Sequence, residues 1–126
     1  MTAAGDDSGN MTDDSRRPTP PEAVILAYIT YTDLDEARRI GRALVDEGLA
    51  ACVNIRAHET IYRWQGAIEQ GPEAALLAKT TRAAYPALEA RVRALHSYSL
   101  PCIVAWTIDA GLPGFLDWVA ASVLPR

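Results

Sequence analysis

Between Leu49 and Ile68 the chain reads LAACVNIRAHETIYRWQGAI, and no other stretch limits its possible folds as strongly. Polar and apolar residues alternate through Thr60, Ile61, Tyr62, Arg63 and Trp64, the pleat pattern of a strand covered on one side. Gln65-Gly66 reads as a tight turn, so a strand from about Ala50 to Trp64 folds back on one that starts at Ile68 and resumes over 74–81. Each arm reaches ~15 residues, roughly 50 Å at about 3.4 Å per residue. A helix of about 13 residues spans only roughly 20 Å. Half of the hairpin therefore protrudes from its own domain, carrying Ile61, Tyr62, Trp64 and Ile68. An exposed apolar edge of that kind calls for cover, and a second copy of the chain is the natural source.

The flanking segments supply the rest of a sandwich. Residues 23–30 (AVILAYIT) form a continuous β-branched run, as in a central strand. Thr32 or Asp33 caps a helix, and Glu36 completes a capping box if the cap is Asp33. Leu34, Ala37, Ile40, Gly41, Leu44 and Val45 make its apolar stripe, Arg38, Arg39, Arg42 and Asp46 its solvated face, and Gly48 its stop. Gly71-Pro72 predicts a bulge or an edge position in the third strand. A second helix is expected over 83–95 with Tyr85, Leu88, Val92 and Leu95 inward, Pro86 lying late for a first turn. A fourth strand follows over 102–108. A final helix begins at Pro113; Phe115, Leu116, Trp118 and Val119 make it apolar on more than one face, so it packs between two surfaces. The order predicts an α+β ferredoxin-like sandwich, βαββαβ plus a C-terminal helix, with a long β2–β3 hairpin.

Residues 1–21 are small, polar and proline-rich, with too few apolar side chains to bury, and read as a disordered tail ahead of a single domain over 22–126. The segment through Glu22 carries five acidic residues and two arginines, so it holds −3 of the net charge of −4. This charge disfavours a nucleic-acid partner. No apolar run approaches the roughly 20 residues of a membrane span, and the N-terminus lacks the apolar core of an export signal. Two cysteines in such a chain read as thiols of a reducing, cytoplasmic compartment.

Few residues promise chemistry. Cys52 and Cys102 are either small buried thiols or soft metal ligands, and their strands lie on opposite sheet edges, about 14 Å apart, too far for a disulfide. His96 ends the second helix, where its ring can meet the last carbonyls or serve as a ligand. His58, beside Glu59, reads as solvent-facing. Trp64, with Tyr62 and Arg63, either packs in an interface or stacks on a ligand. Lys79, a lone cation in LLAKTT, either snorkels or faces a cleft that takes an anion. No phosphate loop, catalytic triad order or paired carboxylates stand out, so nothing demands an enzyme.

Taken together, ARRIGRALVDEGLAACVNI, IYRWQGAIE, LLAKTTRAAYPALEARVRALHSY and FLDWV resemble the CutA family of divalent-cation tolerance proteins over roughly Val24 to Ser122. The resemblance implies a ferredoxin-like homotrimer whose hairpins extend neighbouring sheets, a cytoplasmic location, tolerance of copper and other divalent cations, and copper binding in some members. It also implies kinship with PII-like signalling trimers. An acylphosphatase-type hydrolase shares the sandwich, but its phosphate loop has no counterpart in Tyr31-Thr32-Asp33-Leu34. The family's His-Pro-Tyr-Glu-x-Pro-Glu is here His96-Ser97-Tyr98-Ser99-Leu100-Pro101-Cys102, so both carboxylates are gone. Between Asn54 and Tyr62 the family's Pro-Gly is missing, and a bulge there is absent or reshaped. The expected sites are a weak, soft metal site from Cys52, His96 and Cys102, suited to copper, and a small-ligand site from Trp64, Lys79 and Tyr98, with no required cofactor.

Overall fold

A computed structural model describes residues 22–124; the expected tail over 1–21 and the last two residues lie outside the described part. The elements are β1 (Val24–Tyr31), α1 (Leu34–Asp46), β2 (Cys52–Trp64), β3 (Ala67–Thr81), α2 (Tyr85–Leu95), β4 (Ile103–Thr107) and α3 (Pro113–Ala121). The sheet is antiparallel throughout, in the order β2-β3-β1-β4. This is the expected α+β ferredoxin-like sandwich.

The core forms where the inward pleat of β1 and β3 meets the helices. Ala27, Ile29 and Tyr31 of β1 and Ala74, Leu76 and Ala78 of β3 pack with Ala37, Ile40 and Leu44 of α1 and Leu88 and Val92 of α2. Gly41 sets how closely α1 settles. A Cβ there would lie 2.9 Å from Leu76 Cδ1 and 3.2 Å from Val53 Cγ2, so a larger residue would displace those side chains or the helix. Asp33 is the cap, its Oδ1 accepting from the Glu36 N–H at 2.8 Å. Glu36 returns to the Thr32 N–H (3.1 Å), one residue ahead of the cap, so the box closes in a shifted form. Its carboxylate is buried rather than solvated. The α2 helix starts at Tyr85, later than expected, and this places Pro86 within its first turn, where a missing N–H costs nothing.

The β2–β3 ladder runs without interruption from Cys52↔Lys79 to Trp64↔Ala67. The bulge expected at Gly71-Pro72 does not form, and Gly71 and Pro72 face Thr60 and Glu59 in register. The edge reading of that proline is the one that fits: β1 pairs with β3 only as far as Ala74, so Pro72 lies where β3 has a single neighbour. Gln65 and Gly66 both have positive φ (50° and 84°), the signature of a type I′ hairpin turn.

The seven register pairs from His58↔Glu73 to Trp64↔Ala67 thus form a bare two-stranded ribbon. Ile61 and Ile68 are each 64% exposed and Trp64 45%. The α3 helix buries Val119 against Val24, Ala84 and Val123. Its other side, with Leu112, Phe115 and Trp118, is exposed, so of the two surfaces expected to flank it the described residues supply one.

Candidate functional site

Opposite the helices, where the ribbon leaves the sheet, lies a cleft of about 770 Å³. Its position follows from strand parity. Val53 and Ile55 point toward α1, so His58, Thr60, Tyr62 and Trp64 point the other way, as do Tyr28 and Thr30 of β1 and Glu73 of β3. Tyr98, Ser99, Leu100 and Cys102, from the α2–β4 connection, form its other wall.

That wall is held by a relay of buried polar contacts. The Ser97 N–H donates to Glu36 Oε2 at 2.8 Å, tying the connection to the start of α1. Burial would raise the Glu36 pKa, but the Ser97 hydroxyl and N–H, the Thr32 N–H and the nearby His96 ring outweigh it and hold the carboxyl below its usual range. The His96 side chain is 0% exposed and stacks on Tyr31 with ring centroids 4.7 Å apart. Its Nε2–H donates to the Thr30 carbonyl (2.7 Å) and its Nδ1 accepts from the Tyr98 N–H (3.0 Å).

Those two bonds correct both readings of His96. Its ring does not meet the last carbonyls of α2, and backbone groups rather than an ion occupy both nitrogens of the buried ring. His58 is corrected as well. It is half-buried, and its Nε2–H donates to Glu73 Oε1 across the ladder at 2.9 Å, with the Glu73 side chain 12% exposed. This pair was within reach of the sequence, since folding the chain at Gln65-Gly66 and counting back sets His58 opposite Glu73. Tyr28 and Tyr98 also line the cleft. Burial raises both phenols; Cys102 and then Glu73 raise Tyr28 further against Arg56, and Glu73, with Glu36, raises Tyr98 further against a Thr32 hydrogen bond.

The remaining expected site residues disperse. Trp64, Tyr98 and the exposed Cys102 share the cleft. Lys79 does not line it: it sits six residues along β3 from Glu73, roughly 20 Å at about 3.4 Å per residue, with Cys52 and Leu26 as its lateral neighbours. Cys52 opens edge strand β2 and Cys102 leads into edge strand β4, so one chain cannot join them at one ion. Among the described residues no three His, Cys, Asp or Glu side chains gather as a metal-holding group.

The family model of the CutA1 divalent ion tolerance protein matches residues 25–122. The chain belongs to the CutA1 family. The divalent-cation tolerance protein CutA of Thermus thermophilus is 50% identical over 99 residues, 78% of this chain and 94% of that protein. The CutA of Archaeoglobus fulgidus is 43% identical over 96 residues, 76% of this chain and 94% of its own length. Its solved structure, described as a periplasmic divalent cation tolerance protein, matches with a TM-score of 0.77 at 40% identity, over 79% of this chain and 97% of that one. The CutA1 structure from Oryza sativa reaches 0.80 at 31% identity, over 82% and 96%. The same fold thus persists across the CutA1 family at identities down to about one third.

Proposed function

We propose that the chain is a homotrimeric, cytoplasmic binding protein in the tolerance of divalent cations, with its ligand held in clefts that neighbouring subunits complete. The observation that carries this reading is the ribbon. Two strands alone bury too little to be stable in water, yet this one keeps perfect register to its turn while exposing Ile61, Tyr62, Trp64 and Ile68. A neighbour that covers it also roofs the cleft at its root. Binding rather than catalysis fits the β1–α1 junction, where Tyr31-Thr32-Asp33-Leu34 runs straight into the helix with no phosphate loop. A PII-like role, in which occupancy of the cleft is relayed to a partner, uses the same architecture.

A soft-metal role is favoured by one observation, the exposed Cys102 thiol in the cleft. Copper then coordinates Cys102 together with groups from a neighbouring subunit, a weak and soft site. Light scattering on the reduced full chain should give three times the chain mass. Calorimetry should show Cu(I) binding that Cys102→Ser weakens and Cys52→Ser does not. A monomer overturns the assembly, and copper binding untouched by Cys102→Ser overturns the metal reading.

A further inference from the structure

We propose that the cleft at the root of the ribbon is a site for a small organic cation, a substituted ammonium group, caged by Tyr28, Tyr62, Trp64 and Tyr98 around the Glu73 carboxylate. This rests on the reading of the cleft as a ligand site and names the class of ligand it takes. By strand parity the carboxylate that faces the cleft is that of Glu73, and among the described residues of one chain no lysine or arginine lines it. Lys79, the residue that would have suited an anion, is roughly 20 Å away along β3. Arg56 lines a smaller, adjoining hollow that shares Tyr28 and His58 with the cleft.

Glu73 is the centre of the arrangement. One carboxylate oxygen is held by His58 at 2.9 Å, which fixes the group in place, and its charge is felt by the phenols of both Tyr28 and Tyr98. Aromatic faces carry negative quadrupoles, so four aromatic rings beside a carboxylate attract a positive charge. They select among cations by solvation. To a hard inorganic cation, which would lose its water, one chain offers no set of three ligating side chains in exchange among the described residues. An alkylammonium is weakly hydrated, offers methyl or methylene groups to the rings, and fits a cleft of about 770 Å³.

The experiment titrates the reduced full-length protein, its assembly checked by light scattering, with choline, with the uncharged isostere 3,3-dimethyl-1-butanol, with benzoate and with Cu(I). Calorimetry and the Trp64 indole N–H resonance are the readouts. Choline is expected to bind saturably and to shift the Trp64 signal, the isostere to bind about ten-fold more weakly or worse, and Glu73→Gln to cost choline about ten-fold. Arg56→Gln, which removes the opposing charge nearby, is expected to tighten choline. Equal affinity for choline and its isostere overturns the proposal, as does choline binding that Glu73→Gln leaves unchanged. If benzoate or Cu(I) shifts Trp64 and choline does not, the cation inference fails while the cleft remains a ligand site. If none of the four probes shifts Trp64, both readings fail.

Discussion

The β2–β3 hairpin is one continuous ladder with two halves that live in different surroundings. In the root, from Cys52↔Lys79 to Ala57↔Ala74, β3 has β1 on its other side and α1 above it, and Leu76 and Ala78 are fully buried. In the ribbon, from His58↔Glu73 to the turn, the same register continues with no third strand and no helix beside it among the described residues. Large apolar side chains nevertheless continue past the root, since Ile61, Tyr62, Trp64 and Ile68 are all in the bare half. In the proposed assembly these residues, beyond the reach of their own core, find their remaining contacts in another molecule. Sheet and ribbon also meet at the cleft: Tyr28 of β1 belongs to the sheet side, Glu73, Tyr62 and Trp64 to the ribbon.

The largest expected difference between the halves is in the core. Leu76→Ala removes a fully buried side chain wedged against Gly41 and should lower stability by about 2–5 kcal/mol, read as a fall in the denaturant midpoint that does not depend on protein concentration. The next effect belongs to the ribbon. Trp64→Ala should cost up to about 3 kcal/mol, but as a melting temperature that becomes strongly concentration-dependent, because the proposed assembly puts the lost contacts between molecules. If Trp64→Ala behaves like Leu76→Ala, independent of concentration, the distinction between the halves collapses.

A smaller effect tests the strap between them. The Glu36 carboxyl sits below its ordinary range in the folded chain, so its contribution is present above the unfolded pKa and is lost as pH falls through the lower folded value. Acid titration of stability should therefore show a downward limb below the usual glutamate range that Glu36→Gln flattens. The same variant should loosen the Ser97–Tyr98 wall, visible as faster amide exchange at Ser97. The smallest expected effect is that of deleting residues 1–20, which by composition have little to bury. The change in midpoint should stay within about 0.5 kcal/mol for both halves.

Most of the scaffold was legible because local rules carried it. The β-branched run of β1, the Asp33 cap and the Gln65-Gly66 turn each mark their element without help from the rest of the fold. The overlength of the hairpin followed from simple arithmetic on strand and helix rise. What escaped depended on tertiary context. Pro72 looked like an interruption because a proline is excluded from a central strand, yet it sits where β3 has lost its second neighbour. His96 looked available because nothing in its surroundings announces that the Thr30 carbonyl, distant in sequence, will take one nitrogen and the Tyr98 N–H the other. Lys79 was grouped with Trp64 and Tyr98 on chemical type, although counting along β3 already places it far from the ribbon. Glu73 was the costliest omission, since the turn that fixes the register also names its partner, His58.

Amide hydrogen exchange compared between the two halves at micromolar concentration tests the central claim most directly. If neighbouring copies cover the ribbon, the amides around Ile61 and Gln70 should be protected to a degree approaching those around Leu76 and Ala78, and that protection should fall on dilution or with Trp64→Ala while the root keeps its own. Exchange in the ribbon that is fast at every concentration, beside a protected root, would contradict it.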